Sequence, residues 1–222
     1  MARKKRGRRL RKKKIIIVFS VFIALVFIFL YIYNYHITNI YIKNNYYLTD
    51  EEIIKIAGLK DYPSIFKANS LSIKLNLEKN KYIRKAKVYK KGLFNQVYII
   101  VDENYPLFKY QDKIYLYDGK TIKEDKVVPL VVNDITDVYN KFILSIRKIN
   151  IDILERISEI KYDPNEVDKN RFLLTMNDGI YVYITLNKIE KINDYSDIVS
   201  TLEDKKGTLY LDSGEYFETF KN

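Results

Sequence analysis

The chain has 222 residues, with 39 Lys and Arg against 28 Asp and Glu, a single His and no Cys. This length suits one or two small domains, because domains usually have roughly 100 to 200 residues. The absence of cysteine excludes disulfide scaffolds, cysteine-ligated zinc sites and thiol nucleophiles, and His36 lies too close to a hydrophobic run to serve a soluble catalytic site. Any chemistry would therefore depend on carboxylates and hydroxyls.

The net charge of +11 is concentrated at the N-terminus. Residues 1–14 contain ten Lys and Arg and no acidic residue, which leaves 29 basic against 28 acidic side chains in the rest of the chain. An excess of one positive charge is too small to hold a polyphosphate backbone. Nucleic acid is therefore not an expected ligand, and the basic block is interpreted together with the segment that follows it.

A run of nineteen residues from Ile15 to Tyr33 contains only Ser20 outside the apolar and aromatic set. As a helix this run spans roughly 28 Å at about 1.5 Å per residue, which matches the hydrocarbon thickness of a bilayer. We therefore predict a transmembrane helix over residues 15–35, after a basic tail at residues 1–14. A cleaved signal peptide is the alternative, but its apolar region usually has about 7 to 15 residues and ends at small residues, whereas this one continues into tyrosines.

The basic block also predicts the orientation of this helix. Ten cations before the helix and a nearly neutral stretch after it place the N-terminus in the cytoplasm by the positive-inside rule. The cations would pair with anionic lipid, while Tyr31, Tyr33 and Tyr35 would form an aromatic belt at the opposite interface. Residues from about His36 onward are then extracellular, and function is sought there.

The first extracellular segment carries the signals of a short strand and a helix. The strand is indicated by three apolar residues, Ile37, Ile40 and Ile42. A turn is expected at Asn44-Asn45. The helix begins at a capping box formed by Thr49 and Glu52 and ends at Gly58, which can adopt the positive φ of a C-terminal stop.

A second helix and a strand hairpin follow. The helix is predicted from about Ser70 to Lys79, with Leu71 and Leu75, and as a third candidate Leu77, on its buried side. The apolar period then changes from helical to alternating on both sides of the turn sequence GLFN, which predicts two paired strands. The alternating residues are Ala86, Val88, Val97, Ile99 and Val101.

The order strand, helix, helix, strand, strand directly after one membrane helix resembles the POTRA module of the bacterial division proteins called FtsQ or DivIB. The family pattern "I-x-x-A-x-V" followed by "I-x-V-x-E-x-x-P" is matched by Ile83, Ala86, Val88, Ile99, Val101, Glu103 and Pro106. The family often has Arg between the acid and the proline, whereas this chain has Asn104 and Tyr105 there. The resemblance implies a POTRA domain over residues 37–105.

Residues 106–222 show the pattern of a second α+β domain. Short strands are predicted after Pro106, around an Asp118-Gly119 turn and at Pro129–Val132, and again on both sides of the turn Asn177-Asp178-Gly179. One amphipathic helix is predicted from Asp137 to Arg147. Its helically spaced apolar residues are Val138, Phe142 and Ile146.

A second amphipathic helix and a terminal strand complete this domain. The apolar residues of the helix are Ile189, Ile192, Ile198, Val199 and Leu202. The end of the chain, TLYLDSGEYFETF, predicts one more strand or strand pair. This order resembles the beta domain of the FtsQ/DivIB family. The predicted fold class is thus α+β: a transmembrane helix, a POTRA domain and a mixed α/β domain with a mainly antiparallel sheet.

Enzyme activity has little support in the sequence. Asp163, Glu166 and Asp168 cluster around Pro164, but acids in a turn are usually solvated loop residues. There is no glycine-rich phosphate loop, and a metal motif cannot be built around one histidine. We therefore expect no enzyme activity, no cofactor, no metal and no small-molecule substrate. A membrane-anchored envelope enzyme that uses carboxylates and an extracellular sensor domain remain the alternatives, although fourteen cytoplasmic residues are too few for a folded signalling domain.

The terminal strand is the predicted site of partner binding, because such a strand often lies at a sheet edge with unpaired backbone groups. In the FtsQ/DivIB family the last strand region binds the FtsB or DivIC partner, and Tyr210-Leu211-Asp212 resembles the family's "Y-V-D". The resemblance therefore implies six contact residues, Tyr210, Leu211, Asp212, Gly214, Tyr216 and Phe217. The other interpretation makes Leu209, Leu211 and Phe217 ordinary core residues and Gly214 a turn.

The sequence patterns predict a single-pass membrane protein without catalytic residues, and the resemblance implies that it is a scaffold of the division septum. The resemblance implies that its partners are DivIC/FtsB-type and FtsL-type proteins. Because Leu211 is assigned here to the edge, its replacement by Pro is expected to abolish partner binding by removing an edge N–H or by breaking the strand. Family members with a longer tail place an Arg-Tyr pair where this chain has Gly214 and Glu215, so a salt bridge from that Arg is not expected.

Overall fold

The computed structural model describes residues 12–203 and 205–220, and its architecture is α+β. Most of the basic tail, including the cations from Arg3 to Arg11, lies outside the described residues. Helix α1, Lys12–Tyr33, has 22 residues and begins within the basic block. Its segment Lys14–Tyr33 is long and apolar enough to cross a membrane. At about 1.5 Å per residue, that segment is roughly 30 Å long, close to the hydrocarbon thickness.

Contacts divide the described chain into two compact units. The first contains residues up to Lys43 together with Asp50–Lys79 and Ala86–Val101, and the second contains Asn44–Thr49, Asn80–Lys85 and the chain from Asp102 onward. The short segments before residue 50 and before residue 86 thus pack with the second unit. The division at residues 105 and 106 stays a prediction.

The first unit contains α1 and the predicted strand, helix, helix, strand, strand order. The elements after α1 are β1 Asn39–Lys43, α2 Asp50–Ile56, α3 Ser70–Glu78, β2 Ile83–Lys91 and β3 Gln96–Glu103. The strand order in the sheet is β1-β3-β2, with β1 parallel to β3 and Ile40 opposite Val97. Helices α2 and α3 supply a large part of the core through Ile53, Ile73 and Leu77, which are at most 2% exposed.

Helix α3 buries a different face from the one predicted. Ile73 and Leu77 are buried, whereas Leu71 and Leu75 are 63% and 49% exposed. The assignment of Leu71 and Leu75 to the core was therefore wrong, and the third candidate, Leu77, was correct. Both pairs have the same four-residue spacing, so the period of the sequence alone does not choose between the two faces.

The end of α2 is as predicted. Gly58 has φ of +70°, and its N–H donates to the carbonyl of Lys55. The next N–H, from Leu59, donates to the carbonyl of Ile54. A glycine in the left-handed region just after a helix satisfies its last carbonyls in this way. Gly179, in the predicted turn between the later strands, likewise has φ of +87°.

The second unit is built on one nine-stranded sheet. Its strands are β4 Pro106–Tyr110, β5 Lys113–Leu116, β6 Thr121–Ile122, β7 Leu130–Val131, β8 Ile157–Tyr162, β9 Arg171–Met176, β10 Tyr181–Thr185, β11 Gly207–Tyr210 and β12 Tyr216–Thr219. The order across the sheet is β12-β11-β10-β9-β8-β7-β4-β5-β6. Five strand pairs are antiparallel and three are parallel. The sheet is therefore mixed and mainly antiparallel, as predicted.

Among the described residues, three helices and two 3₁₀ segments, Thr136–Val138 and Leu186–Asp194, accompany this sheet. The helices are α4 Tyr139–Ile146, α5 Ile151–Leu154 and α6 Tyr195–Ser200. Phe142 and Ile146 of α4 are buried, as their spacing predicts. The predicted second amphipathic helix is not continuous, because Leu186–Asp194 is a 3₁₀ segment with a kink at Lys188. This crossover connects β10 to the parallel strand β11, a connection that a tight hairpin cannot make.

The buried acid Glu103 holds a loop of the second unit. Its carboxylate oxygens accept hydrogen bonds from the backbone N–H groups of Tyr46, Tyr47 and Leu48, at 2.7, 2.7 and 2.8 Å. The residue is only 6% exposed. A carboxylate can occupy this buried position because three donors replace its water. The acid of the family pattern therefore has a structural role here.

Asn104, where the family often has Arg, is engaged in the same part of the fold. Its side-chain N–H donates to the carbonyl of Lys81 at 2.8 Å, and its side-chain oxygen accepts from the N–H of Asp118 at 2.9 Å. The residue is 3% exposed. An amide offers both a donor and an acceptor, so it satisfies two buried backbone groups at once.

Candidate partner-binding edge

Strand β12 forms one edge of the nine-stranded sheet, as predicted for the terminal strand. Within the described residues it pairs with β11 on one side and has no strand on the other. The N–H of Phe220 donates to the carbonyl of Lys206 at 3.1 Å, and hydrogen-bonded pairs alternate along an antiparallel ladder. The backbone groups of Glu218 therefore face β11, and those of Phe217 and Thr219 face the free side.

The outward face beside this edge carries a row of three tyrosines. Tyr183 of β10, Tyr210 of β11 and Tyr216 of β12 lie opposite one another in register. Their ring centroids are 5.4 Å apart between Tyr183 and Tyr210 and 4.5 Å apart between Tyr210 and Tyr216, and both pairs are stacked. Tyr216 is 51% exposed. Stacked tyrosines present a rigid, amphipathic surface that binds at low cost in side-chain entropy.

Arg171 lies at the inner end of this row, next to Tyr183. Its guanidinium lies over the ring of Tyr183, 3.6 Å from the centroid. Its Nε donates to the Asp212 carboxylate at 2.7 Å, and its Nη1 donates to the Asp163 carboxylate at 2.6 Å. The side chains of Arg171 and Asp212 are 15% and 10% exposed. One cation thus joins β9, the segment after β8 and the segment that connects β11 to β12.

These contacts set the charge state of the ion pair. Burial raises the pKa of Asp212, but the hydrogen bonds from Arg171 and from the backbone of Ser213 outweigh this effect and hold the pKa below its ordinary value. Burial lowers the pKa of Arg171, and the hydrogen bond and charge of Asp212 more than compensate, so this pKa is raised. Both groups therefore stay ionised at neutral pH.

The ion pair predicts an acid-sensitive contribution to stability. The folded-state pKa of Asp212 lies below the ordinary value of 3.8, so its contribution is complete above that value and is lost as pH falls through the folded-state pKa. We expect the stability advantage of the wild type over Asp212→Asn, measured by urea unfolding, to be constant near neutral pH, to decline as the pH falls below 3.8 and to vanish only below the folded-state pKa. An advantage that persists unchanged at the lowest pH would contradict this assignment.

The six predicted contact residues divide into two groups. Tyr210, Tyr216 and Phe217 lie in β11 and β12, and Gly214 lies in the bend between these strands. Leu211, by contrast, is 1% exposed and packs in the core, and Asp212 is held by Arg171. For Leu211, Leu209 and partly for Phe217, the structure agrees with the alternative interpretation of core residues.

The assignment of the Leu211 N–H to the edge was wrong. This N–H donates to the carbonyl of Tyr183 at 2.8 Å, inside the sheet. Strand β12 covers the opposite side of β11, so a proline at 211 would remove a bond of the fold and would not test partner binding. The register of the terminal pair, which sequence does not fix, decides this outcome.

The bend also contains an exposed ion pair. Glu215 pairs with Lys191 of the crossover, and the side chains are 65% and 40% exposed. The ammonium group of Lys188 donates to the backbone carbonyl of Asp212 at 2.6 Å. Two lysines of the crossover, Lys188 and Lys191, therefore hold the bend. Sequence analysis did not identify these two lysines, because it placed them only as polar residues of the predicted helix.

Two of the three acids around Pro164 have structural roles. Asp163 pairs with Arg171, and the carboxylate of Asp168 accepts a hydrogen bond from the N–H of Asn170 at 2.7 Å. Glu166 is exposed. In the described part of the chain, no group of three or more His, Cys, Asp or Glu residues is arranged to hold a metal ion.

Comparison with known proteins finds a domain family that matches the residues directly after α1. Residues 35–104 match the FtsQ-type POTRA domain family. Residues 35–104 are therefore similar to POTRA domains of the FtsQ type, and the predicted α+β fold class is confirmed. A solved structure of the major extracytoplasmic domain of DivIB from Geobacillus stearothermophilus aligns with a TM-score of 0.37 and 18% identity, covering 46% of this chain and 96% of that chain.

Relatives extend the similarity to most of the chain. Cell division protein DivIB of Listeria monocytogenes is 29% identical over 232 residues, which covers 96% of this chain and 86% of the relative. DivIB of Bacillus cereus is 28% identical, covering 82% and 75%, and DivIB of Bacillus subtilis is 26% identical, covering 83% and 74%. The resemblance to the FtsQ/DivIB family predicted from the sequence is confirmed.

Proposed function

We propose that this chain is a non-catalytic, single-pass membrane scaffold of the bacterial division complex. One observation carries the proposal: β12 leaves a free sheet edge, flanked by stacked tyrosines, in a chain similar over most of its length to cell division proteins named DivIB. A free edge and a rigid aromatic surface are suited to binding another polypeptide.

The proposed topology places the N-terminus in the cytoplasm and both units outside the cell membrane. It is supported by the ten cations of residues 1–14, which precede the apolar run, and by the length of the helix. The cations would lie against anionic lipid on the cytoplasmic side. In this arrangement the free edge of β12 is available to the extracellular parts of other membrane proteins at the septum.

The proposed mechanism of binding is β-augmentation. A strand from a DivIC/FtsB-type partner would pair with β12 and extend the sheet, while an FtsL-type protein would join the same complex. The outward backbone groups of Phe217 and Thr219 would supply the hydrogen bonds. Tyr210 and Tyr216 would contact the side chains of the partner. Leu211 and Asp212 would support the edge from the core.

Replacing Thr219 by Pro tests this mechanism at one backbone group. The Thr219 N–H faces the free side, so its loss costs the fold no bond to β11, whereas a partner strand loses a hydrogen bond and meets the pyrrolidine ring. We expect at least about a tenfold loss of affinity of the full-length protein for the extracellular domain of a DivIC-type partner, because one bond and one steric contact are removed. Calorimetry or surface plasmon resonance measures it.

Thr219→Val is the matched control, because it keeps the N–H and the β-branched shape. It should bind as the wild type does, and both variants should show the circular dichroism spectrum and melting temperature of the wild type. Equal, unweakened binding by the folded Pro variant would exclude pairing along the free edge of β12. Binding by neither the variants nor the wild type would exclude the proposed partner class.

A further inference from the structure

The part of the first unit that follows α1 is called the POTRA unit below. It exposes apolar side chains in the two loops that contact the end of α1. Phe66 is 53% exposed, and Leu93 and Phe94 in the β2–β3 turn are 80% and 66% exposed. We call these three residues the apolar base. Single exposed apolar residues are common on protein surfaces, but three in adjoining loops next to a membrane-spanning segment form a surface that needs a partner.

Hydrogen bonds fix both loops to the end of α1. The side-chain amide of Asn95 donates to the Tyr35 hydroxyl at 2.9 Å, and the N–H of Thr38 donates to the carbonyl of Asn95 at 2.9 Å. In the other loop, the N–H of Ile65 donates to the carbonyl of Tyr35 at 2.9 Å. The loops are therefore held at the level of the residues that immediately follow the helix.

The contact between Phe66 and Tyr33 indicates how close the apolar base lies to the membrane. Its ring stacks on Tyr33, the last residue of α1, with centroids 6.4 Å apart. If Lys14–Tyr33 spans the hydrocarbon, Tyr33 lies at the boundary between acyl chains and headgroups. Phe66 and the neighbouring turn then lie at the same boundary.

The β2–β3 turn is built from residues that its conformation does not favour. Gly92, Leu93 and Phe94 have φ of 53°, 52° and 69°. Gly, Asn and Asp are the usual residues at positive φ, and Leu and Phe adopt it at a cost in free energy. The apolar side chains are therefore not required by the turn, and a role outside the fold accounts for them better.

The charges of the two loops match a phospholipid surface. Residues 62–68 and 90–96 contain no acidic side chain and carry Lys67, Lys90 and Lys91. The ammonium group of Lys90 donates to the carbonyl of Ile65 at 2.7 Å and connects the two loops, so the exposed Lys67 and Lys91 are the cations available to phosphates. Lysines beside exposed aromatic residues are typical of surfaces that lie in the interface of a membrane, where the cations face the phosphates and the apolar groups enter the acyl boundary.

We propose that the apolar base inserts into the interface of the outer leaflet and holds the POTRA unit against the membrane. The partner is the phospholipid bilayer itself. This inference rests on the membrane-spanning role of α1 that belongs to the proposed function. It does not depend on the β12 edge, and it assigns a role to Phe66, Leu93 and Phe94 that the scaffold mechanism does not use.

Single tryptophans test the proposal, because the chain has none of its own. The full-length protein is placed in nanodiscs of phosphatidylcholine and phosphatidylglycerol whose acyl chains carry no bromine, bromine near the headgroup, or bromine near the terminal methyl group. Phe94→Trp is the test variant. Phe22→Trp, within α1, reports whether the helix spans the bilayer. Tyr46→Trp, 76% exposed and beyond the far end of β1, reports a side chain in water.

We expect brominated lipid to quench Phe94→Trp and Phe22→Trp but not Tyr46→Trp, and acrylamide to quench Tyr46→Trp most strongly. Insertion by about 5 to 10 Å would bring the indole within reach of the bromines near the headgroup. Quenching of Phe22→Trp without quenching of Phe94→Trp would overturn the inference and leave the membrane span intact. If brominated lipid quenches neither, the span and the inference both fail.

Discussion

Replacing Arg171 by Met is expected to lower the free energy of unfolding by about 3 to 5 kcal/mol, because it leaves a buried carboxylate without its partner. The Asp212 side chain is 10% exposed and takes its charge-assisted bond from Arg171 at 2.7 Å. Asp163 and the ring of Tyr183 lose contacts at the same time. Urea unfolding followed by circular dichroism gives the difference in stability.

Two further variants separate the buried charge from simple loss of contacts. Lys191→Met removes a cation that pairs with the exposed Glu215 in the same bend, and it should leave stability unchanged, since exposed ion pairs contribute little. Adding Asp212→Asn to Arg171→Met removes the stranded charge and should recover part of the loss. If Lys191→Met costs as much as Arg171→Met, burial of the ion pair is not the source of its contribution.

Replacing Glu103 by Gln is expected to cost about 3 kcal/mol, because a charged acceptor of three buried backbone N–H groups becomes a neutral amide with one oxygen. The bonds to Tyr46, Tyr47 and Leu48 are 2.7 to 2.8 Å long, and Glu103 is 6% exposed. The loss should be accompanied by faster amide hydrogen exchange at these three residues. Urea unfolding and exchange mass spectrometry measure the two effects.

Asp102→Asn is the matched control for Glu103→Gln. Asp102 is the preceding residue, and its carboxylate accepts from Arg84 at 2.5 Å with side chains 45% and 34% exposed. Because such exposed pairs are screened by water, the control should change stability by less than about 0.5 kcal/mol. Similar losses in the two variants would show that the strand end, and not the buried carboxylate, determines the effect.

Local sequence patterns predicted the positions of helices, strands and turns more accurately than they predicted which face of a helix is buried. The position of the GLFN turn follows from the alternation of the strands on both sides, and the stop at Gly58 and the buried residues of α4 follow from turn chemistry and spacing, which act over a few residues. The buried face of α3 did not follow, because two pairs of apolar residues share the same helical spacing. Only packing in the folded unit makes Ile73 and Leu77 the core pair.

The candidate edge was predicted in part for a similar reason. A terminal strand tends to lie at a sheet edge, and β12 does. The roles of Leu211 and Asp212 depend on bonds to Tyr183 and Arg171, which lie 28 and 41 residues away in the chain. Contacts between residues so far apart in the chain produce no periodic pattern in the sequence, so they could not be predicted from it. An arginine in the apolar strand RFLLTM was the one local sign of a buried ion pair.

Because β12 is paired on one side only, hydrogen exchange of its amides can show whether a partner strand is bound. A strand bonded along one side opens more readily than an interior strand, so its amides exchange early with solvent. A partner that binds only the closed form lowers the open population by the factor 1 + [L]/Kd, without any change of fold. Slowed exchange in β11 and β12, against constant exchange in β8 and β9, would therefore distinguish an occupied scaffold from an empty one.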